Sequence, residues 1–365
     1  MIAVTGLGAV SGFGDGVPAL CEGVWSGATA IGRRPFPEAG PAAVLAGGPH
    51  LGTDLGLRVA REALADAPLD RAHLGLVVGS TAGDMVLGEA AYLATCDGAA
   101  PDDDFVWAQR CDRPAHAVAR ALGLGGPRLT VSNACSSGVA AIGIALDWLD
   151  EGRVDAALVL GVDALCRLTA YGFGSLGLVS ERPCRPFDRA RDGISLGDGA
   201  AALLLERAGE RPEATPLAYV RGYGNAQDAW HMTAPHPEAA GLQAAIEAAL
   251  GDLDASEVGY VNAHGTGTKL NDASEGALYQ RMLPGAAVSS TKGATGHTLG
   301  AAGTLEALIT VVALHRGVLP PNAGLDDPEL ELDLVREARP ASVRHALSVS
   351  AAFGGNCTAV RLEAP

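Results

Sequence analysis

Short apolar runs alternate with alanine-rich helical stretches along the chain. Valine, leucine and alanine are common in these runs, seven of which are the segments 74–79, 129–132, 156–161, 201–205, 258–262, 287–290 and 346–350. In most of them polar residues do not alternate regularly with apolar ones, which is the pattern of strands that have helices on both faces of their sheet. The succession of such strands and helices predicts an α/β fold.

Two segments of the chain resemble each other. Residues 129–149 and 287–314 each contain a strand, then a turn rich in glycine, serine, threonine and alanine, and then a long apolar helix. Cys135 stands at the helix start of the first segment and His297 at that of the second. We therefore expect two similar halves, residues 1–206 and 207–365, that bring Cys135 and His297 to one cleft.

The long apolar run 297–314 is interrupted by small and polar residues at Gly300, Gly303, Thr304 and Glu306. Such interruptions indicate a helix buried against its neighbours more than a membrane span. Residues 1–8 predict a first strand and lack the basic and apolar regions of a signal peptide. We therefore expect a cytoplasmic protein without membrane insertion.

Composition and charge narrow the class of protein. The 365 residues are 48% hydrophobic and 19% charged, so the chain can bury a large core as one big or two fused domains. A net charge of -16 argues against a nucleic-acid binder, and any acidic partner needs a local cluster of arginines. The seven cysteines form no C-x-x-C pair and are odd in number, so neither disulfides nor a metal site is indicated.

Cys135 has the setting of a nucleophile. It follows a predicted strand and opens the helix that runs through Trp148. Free amide groups and the dipole at a helix start stabilise a thiolate, which lowers the pKa of the cysteine, and the amides can also receive an oxyanion. The alternative for a single cysteine is a small buried apolar residue, and the other six cysteines keep that interpretation.

Two histidines lie in turns rich in glycine and threonine. His264 ends a predicted strand in the segment 261–268, and His297 precedes a helix. Asp272 and Glu275 are three residues apart on the next predicted helix, so that a carboxylate can turn back towards the cleft. A structural histidine is the usual alternative for each, but their combination with Cys135 favours a Cys-His-His site.

The chain has only two lysines, while nearly every other basic residue is arginine. Lys292 stands in the segment 289–303, five residues before His297, where a compact and tunable charge suits chemistry beside a histidine better than a guanidinium does. Lys269 also lies near a candidate site, but a solvated surface residue is the better interpretation of it.

Four motifs in these segments resemble those of the β-ketoacyl-acyl-carrier-protein synthases of the elongating I/II type. They are Asn-Ala-Cys-Ser-Ser-Gly around Cys135, His-Gly-Thr-Gly-Thr from His264, Lys-Gly-Ala-Thr-Gly-His from Lys292 to His297, and Phe-Gly-Gly from Phe353. The segments 4–10 and 185–199 are also similar to that family, so the resemblance covers nearly the whole chain. It implies a thiolase-like fold, with two βαβαβαββ halves in a five-layered αβαβα core, and a dimer.

The resemblance also implies a reaction and its residues. Cys135 takes an acyl group from a carrier-protein thioester and passes it to a decarboxylated malonyl unit in a Claisen condensation. The backbone amides of Cys135 and Phe353 hold the oxyanion, and His264 and His297 stabilise the enolate. Lys292 keeps the neighbouring imidazole neutral within a network that includes Glu275.

The resemblance also implies how the substrate is held and which protein carries it. Thr266 and Thr268 hold the pantetheine arm, and Phe353 is a gate over the acyl pocket. No resident cofactor or metal is expected, because the 4'-phosphopantetheine belongs to the acyl carrier protein. That protein is the expected partner. On this chain the pair Arg58 and Arg61 and the group Arg110, Arg113 and Arg120 are the two candidate patches for its docking, and an ordinary solvated face is the alternative for each.

The chain departs from the family pattern near the gate. Ala352 replaces a glycine beside Phe353, which restricts the backbone there. Val349 replaces an asparagine, which weakens the case for a structural cation that some relatives hold. The chain is also shorter than typical relatives, so the preferred acyl chain length stays open.

Alternatives remain in function and assembly. One is a chain-length factor, a non-condensing partner that normally lacks the cysteine, and another is an acyl-binding protein without turnover. The chain can form a homodimer or a heterodimer with a chain-length-factor-like paralogue. Fatty acid, polyene and polyketide pathways all fit the motifs.

Overall fold

The structure is a computed structural model that describes residues 1–37, 39–65, 67–100 and 103–365. Its strands are β1 Ile2–Ser11, β2 Gly14–Asp15, β3 Leu74–Gly79, β4 Arg128–Val131, β5 Ala156–Asp163, β6 Gly199–Arg207, β7 Ala218–Gln227, β8 Val258–Asn262, β9 Ala287–Ser289, β10 Val318–Leu319, β11 Asp333–Leu334, β12 Arg339–Pro340, β13 His345–Ala351 and β14 Asn356–Glu363. Its α-helices are α1 Val17–Trp25, α2 Gly52–Ala63, α3 Met85–Cys96, α4 Asp103–Ala108, α5 Arg113–Leu122, α6 Ser137–Asp150, α7 Arg167–Ser175, α8 Ala240–Leu250, α9 Lys269–Met282, α10 Lys292–Thr295 and α11 Ala302–Arg316. Short 3-10 helices span Ala255–Glu257 and Leu299–Ala301.

The sheet repeats the same arrangement of five strands twice. In the first half the order is β4-β3-β5-β6-β1, and in the second it is β9-β8-β13-β14-β7. In each of these orders the first three strands are parallel to one another, and the fourth strand, β6 or β14, is antiparallel to both of its neighbours. Strand β1 pairs antiparallel with β7 and so joins the halves. The prediction of a duplicated α/β fold is confirmed.

Helices lie in three layers around the two halves of the sheet. Helices α6 and α11 pack on each other and contact strands of both halves. Helices α2 and α5 cover the outer face of the first half in one apolar cluster, and α8 and α9 cover that of the second half in another. With the two sheet halves, these layers form the five-layered core that the resemblance implies.

The apolar run that ends in α11 lies in the middle of this core. The segment 299–316 has the length and the mean hydropathy, 1.2, of a membrane span, but 89% of it is buried inside the protein. The prediction of a buried core helix is confirmed. The division of the chain between residues 206 and 207 stays a prediction, and β6 extends to Arg207.

Glycines allow α6 and α11 to approach each other closely. A Cβ atom on Gly138 would lie 2.5 Å from the backbone nitrogen of Thr304, and one on Gly303 would lie 2.8 Å from that of Val139. Both positions are at the beginning of their helices, next to the turns that carry Cys135 and His297. The close helix contact therefore fixes the distance between the two turns.

Replacing Gly138 by alanine will destabilise the protein, because the added methyl group meets backbone atoms that cannot rotate away. We expect Gly138→Ala to lower the free energy of unfolding by about 1–3 kcal/mol, measured by urea denaturation. Gly172→Ala on α7 is the matched control, since a Cβ there meets nothing within 4 Å. Equal stability of the two variants would contradict the close contact.

Candidate active site

A tight turn between β4 and α6 presents Cys135. Ala134 adopts a left-handed conformation, with φ of 46°, immediately before the cysteine. The hydroxyl of Ser137 donates to the carbonyl of Ala134 at 2.6 Å and accepts from the amide of Asn133 at 2.8 Å. These bonds close the turn. Cys135 lies just before the helix, is 7% exposed and lines a cavity.

The thiol of Cys135 is neutral in this setting. Burial raises its pKa to about 11, against the opposing effects of the Lys292 charge and of a hydrogen bond from the backbone N–H of Phe353. The expectation of a lowered pKa, which was based on the helix start alone, is therefore wrong. Desolvation of the sulfur destabilises the thiolate more than the lysine charge and the N–H group of Phe353 stabilise it.

A loop after β8 holds His264, and two carboxylates of α9 hold the loop. Glu275 accepts the backbone N–H of His264 at 2.6 Å and that of Gly265 at 2.8 Å. Asp272 accepts the N–H groups of Thr266 and Gly267 at 3.0 and 3.1 Å. The prediction that a carboxylate turns back towards the cleft is confirmed for Glu275, which lines the cavity, while Asp272 holds the loop from behind that lining.

His297 lies opposite His264 across the same cavity. The two rings meet edge to face, with their centroids 5.5 Å apart. The backbone N–H of Leu299 donates to Nδ1 of His297 at 3.1 Å, so that the proton of the neutral ring is on Nε2. This Nε2 is buried without a hydrogen-bond partner in the described part of the chain. The ring therefore has a free donor.

Both imidazoles are neutral at physiological pH. Burial lowers the pKa of His264 and of His297 well below the usual value, and the positive charge of Lys292 lowers both further. A neutral imidazole donates one hydrogen bond and accepts another, so each ring can present one N–H group to a substrate.

Lys292 lies behind His264 and forms a buried ion pair. Its Nζ pairs with Glu306 of α11, donates to the backbone carbonyl of His264 at 2.5 Å, and is 3.4 Å from Nδ1 of that histidine. All three residues are nearly inaccessible to solvent. The lysine therefore connects α10, α11 and the His264 loop.

Sequence reasoning assigned Glu275 to the lysine network and missed Glu306. Within the described residues, the hydrogen bonds of Glu275 go to the His264 loop, to Asn271 and to the hydroxyl of Tyr279. The lysine influences Glu275 only through its field. The available signal for Glu306 was a single carboxylate inside the apolar run 297–314, which needs a partner if it is buried.

The cavity brings the predicted site residues together. It has a volume of about 340 Å³ and is lined by Cys135, His264, Thr266, Thr268, Glu275, His297 and Phe353, among others. The hydroxyls of Thr266 and Thr268 are 2.9 Å apart. The ring of Phe353 stacks on that of Phe173 in α7 with centroids 5.5 Å apart, and its role as a gate stays a prediction. Lys292 alone among the predicted residues lies behind this lining.

The two departures near Phe353 have different consequences. Ala352 is outside the left-handed region, and its amide donates to the carbonyl of Asn356 at 2.8 Å, so its methyl group does not strain this loop. Val349 is fully buried and adds no oxygen to the site. Among the described residues, no group of three or more His, Cys, Asp or Glu side chains could hold a metal ion.

Known proteins resemble this chain along most of its length. The family model of the beta-ketoacyl synthase N-terminal domain matches residues 51–211, and that of the C-terminal domain matches residues 217–326. The 3-oxoacyl-acyl-carrier-protein synthase 2 of Vibrio harveyi is 36% identical over 326 residues, which cover 82% of this chain and 79% of that protein.

Two solved structures also match along the whole chain. The ishigamide ketosynthase/chain length factor is 30% identical with a TM-score of 0.91, and 100% of this chain and 99% of that one are covered. The complex AntDE:AntF, a type II PKS acyl-carrier protein with its ketosynthase bound to the hexaketide, is 25% identical with a TM-score of 0.92 and the same coverage. The chain therefore belongs to the β-ketoacyl synthase family.

Proposed function

We propose that this chain condenses a cysteine-bound acyl group with a malonyl unit on an acyl carrier protein, releasing CO₂ and forming a β-ketoacyl product. One observation carries the proposal: Cys135, His264, His297 and Phe353 line a single cavity. The reaction has two steps, transfer of the acyl group to the cysteine and condensation with the malonyl unit. The first needs a nucleophile and an amide donor, and the second needs donors such as the two neutral imidazoles.

The first half-reaction transfers the acyl group to Cys135. The sulfur attacks the thioester carbonyl, and the oxyanion that forms faces the N–H groups of Cys135 and Phe353. The C–S bond to the carrier arm then breaks, and the departing sulfur takes the proton that Cys135 gives up. A thiol pKa of about 11 suits this exchange, because the proton leaves only as the new bond forms.

The second half-reaction forms the carbon–carbon bond. The malonyl carboxylate leaves as CO₂, and its electron pair moves into the thioester to form an enolate. The Nε2–H of His297 and the ring of His264 donate to the enolate oxygen. The enolate carbon attacks the acyl carbonyl on Cys135, and the cysteine leaves as a thiolate that is then reprotonated.

Lys292 acts on this chemistry through His264. Its ammonium is 3.4 Å from Nδ1 of the ring, so that this nitrogen accepts and Nε2 carries the proton. Its charge also disfavours an imidazolium. Glu306 balances the lysine charge, so the site holds it without exposure to water.

The partner in this proposal is an acyl carrier protein whose pantetheine arm passes Thr266 and Thr268. The Vibrio harveyi relative is named for such a substrate, and the AntDE ketosynthase was solved with one. The match to a ketosynthase/chain length factor supports a paralogue as a second partner. Of the proposed docking arginines, Arg58 pairs with Asp15 and Arg110 with Asp112. Their carboxylate partners reduce the positive potential of both clusters, and docking there stays a prediction.

A non-condensing partner subunit is the second candidate. The presence of Cys135, both histidines and Lys292 around the cavity favours the condensing enzyme, because a subunit without turnover has no need of a buried nucleophile or a buried ion pair.

Removing the nucleophile will separate the two half-reactions. We expect Cys135→Ala to lower condensation of acyl- and malonyl-carrier protein at least about 10³-fold, measured by mass spectrometry of the products. Release of CO₂ from malonyl-carrier protein will persist in this variant, while His297→Ala will lower it about 10²–10³-fold. Cys96→Ser, at an exposed position, is the control. A wild-type protein that forms no product and releases no CO₂ is a non-condensing subunit.

The alkylation rate of Cys135 will report the pKa of its thiol. Below a pKa of about 11 the thiolate fraction rises about tenfold per pH unit, so the rate with iodoacetamide will climb steadily from pH 7 to 9.5. Lys292→Met will lower the rate at every pH, because the lysine charge stabilises the thiolate. The assay uses a Cys96→Ser/Cys111→Ser background. A plateau below pH 8 would show that the helix start outweighs burial after all.

The ion pair of Lys292 and Glu306 will be strongly coupled. Removing either partner leaves a buried charge, so Lys292→Met and Glu306→Gln will each cost about 3–5 kcal/mol of unfolding free energy, and the double variant will cost less than their sum. Burial raises the pKa of Glu306 to about 7, and loss of the lysine raises it further. Lys292→Met is therefore less destabilised at pH 6, where Glu306 is protonated, than at pH 8. Additive losses at both pH values would refute the coupling.

A further inference from the structure

The second lysine of the chain lines the same cavity as Cys135. Lys269 is the first residue of α9 and directly follows Thr268. It is exposed, and so is its neighbour Leu270, at 68%. The sequence analysis placed Lys269 near a candidate site and interpreted it as a solvated residue, and both its position at the cavity and its exposure agree with that interpretation.

Burial decreases steadily from the histidine to this lysine. His264 is 3% and Thr266 is 6% exposed, Thr268 is half-buried, and Lys269 is exposed. The cavity wall therefore runs from neutral imidazole, through two hydroxyls, to an ammonium at the solvent side. Among the described residues that line the cavity, Lys269 is the only lysine or arginine, so a ligand along this wall meets a permanent positive charge at its outer end.

The backbone of Lys269 is fixed while its ammonium is unpaired. The buried guanidinium of Arg191 donates to the carbonyl of Thr268 at 3.3 Å and to that of Lys269 at 3.0 Å. No ion pair among the described residues includes Lys269. The acidic Asp192 also lines the cavity, but it accepts from Ser180 at 2.5 Å and lies 4.0 Å from Arg182.

A local cation matters here because the protein as a whole repels anions. The net charge is -16, so a negatively charged group that approaches the cavity needs a specific positive partner. The arm in the proposed function carries a thioester at one end and a phosphate at the other, with two amides between them. This order of groups matches the order of Cys135, the two threonines and Lys269 along the wall.

We propose that Lys269 binds the phosphate of the phosphopantetheine arm at the solvent end of the cavity. This inference rests on the proposed function, since the arm belongs to its substrate. Lys269 contributes to binding and takes no part in the chemical steps, which occur at the buried end of the cavity.

The test compares two unreactive analogues that differ only in the phosphate. S-methyl-phosphopantetheine and S-methyl-pantetheine are assayed for protection of Cys135 against iodoacetamide, in the Cys96→Ser/Cys111→Ser background. We expect the phosphate to lower the half-protecting concentration about tenfold for the unsubstituted Lys269 protein at low salt, and Lys269→Gln to abolish that advantage. Lys269→Arg will retain part of it. Arg344→Gln, which removes a 77% exposed arginine elsewhere, is the matched control and will leave it unchanged.

Each other outcome overturns the inference. A phosphate advantage that survives Lys269→Gln places the anion elsewhere, and an equal loss of protection by both analogues shows that the lysine only shapes the cavity wall. If only intact carrier protein, and neither analogue, is affected by Lys269→Gln, the lysine meets acidic side chains of that protein instead. The condensation assay with the unsubstituted protein is independent of these readings, so a failure of the proposed function is recognised separately.

Discussion

The buried ion pair of Lys292 and Glu306 is the constraint on which the active site depends. An ammonium in the protein interior is tolerated only with a carboxylate and further acceptors around it, and here Glu306 and the carbonyl of His264 supply them. Because Lys292 belongs to α10 and Glu306 to α11, the pair fixes the His264 loop against the central helix. Glu275 and Asp272 fix the same loop from its other side by accepting its backbone N–H groups. The imidazole therefore has little freedom to turn.

The duplicated fold explains why Cys135 and His297, which are 162 positions apart in the sequence, line one cavity. Each half places a strand, a turn and a central helix in the same order, and α6 and α11 pack at Gly138 and Gly303 without intervening side chains. The turn before each helix then lies on the same side of the core. Cys135 is on one turn and His297 on the other, so the symmetry of the backbone places two different side chains against one cavity.

Much of this arrangement could be predicted from the sequence, for identifiable reasons. Six of the seven predicted strands are correct because they are largely buried and mostly apolar. The seventh, β4, is exposed or half-exposed, and its leucine and valine were the signal that identified it. Strand β7 was missed because many of its positions are half-exposed and polar, and β14 because arginine and threonine interrupt it. The motifs identified Cys135 and the histidines. They could not identify Glu306 as the partner of Lys292, because that contact depends on how α10 and α11 pack in space. The pKa of Cys135 likewise depends on burial, which a helix-start pattern does not reveal.

Burial also determines which side chains around the cavity are charged. The thiol and both imidazoles are neutral, because the interior disfavours their ions, and the lysine charge next to them is already balanced by Glu306. In the proposed reaction, a malonyl carboxylate that enters this space loses its water and meets N–H groups that would face the enolate oxygen. Departure of CO₂ moves the negative charge from the carboxylate to the oxygen that those groups face, so the step relieves the electrostatic cost of entry. The negative charge of the phosphate on the substrate arm must then stay at the solvent end of the cavity. Water stabilises it there and, in the proposed binding mode, so does Lys269.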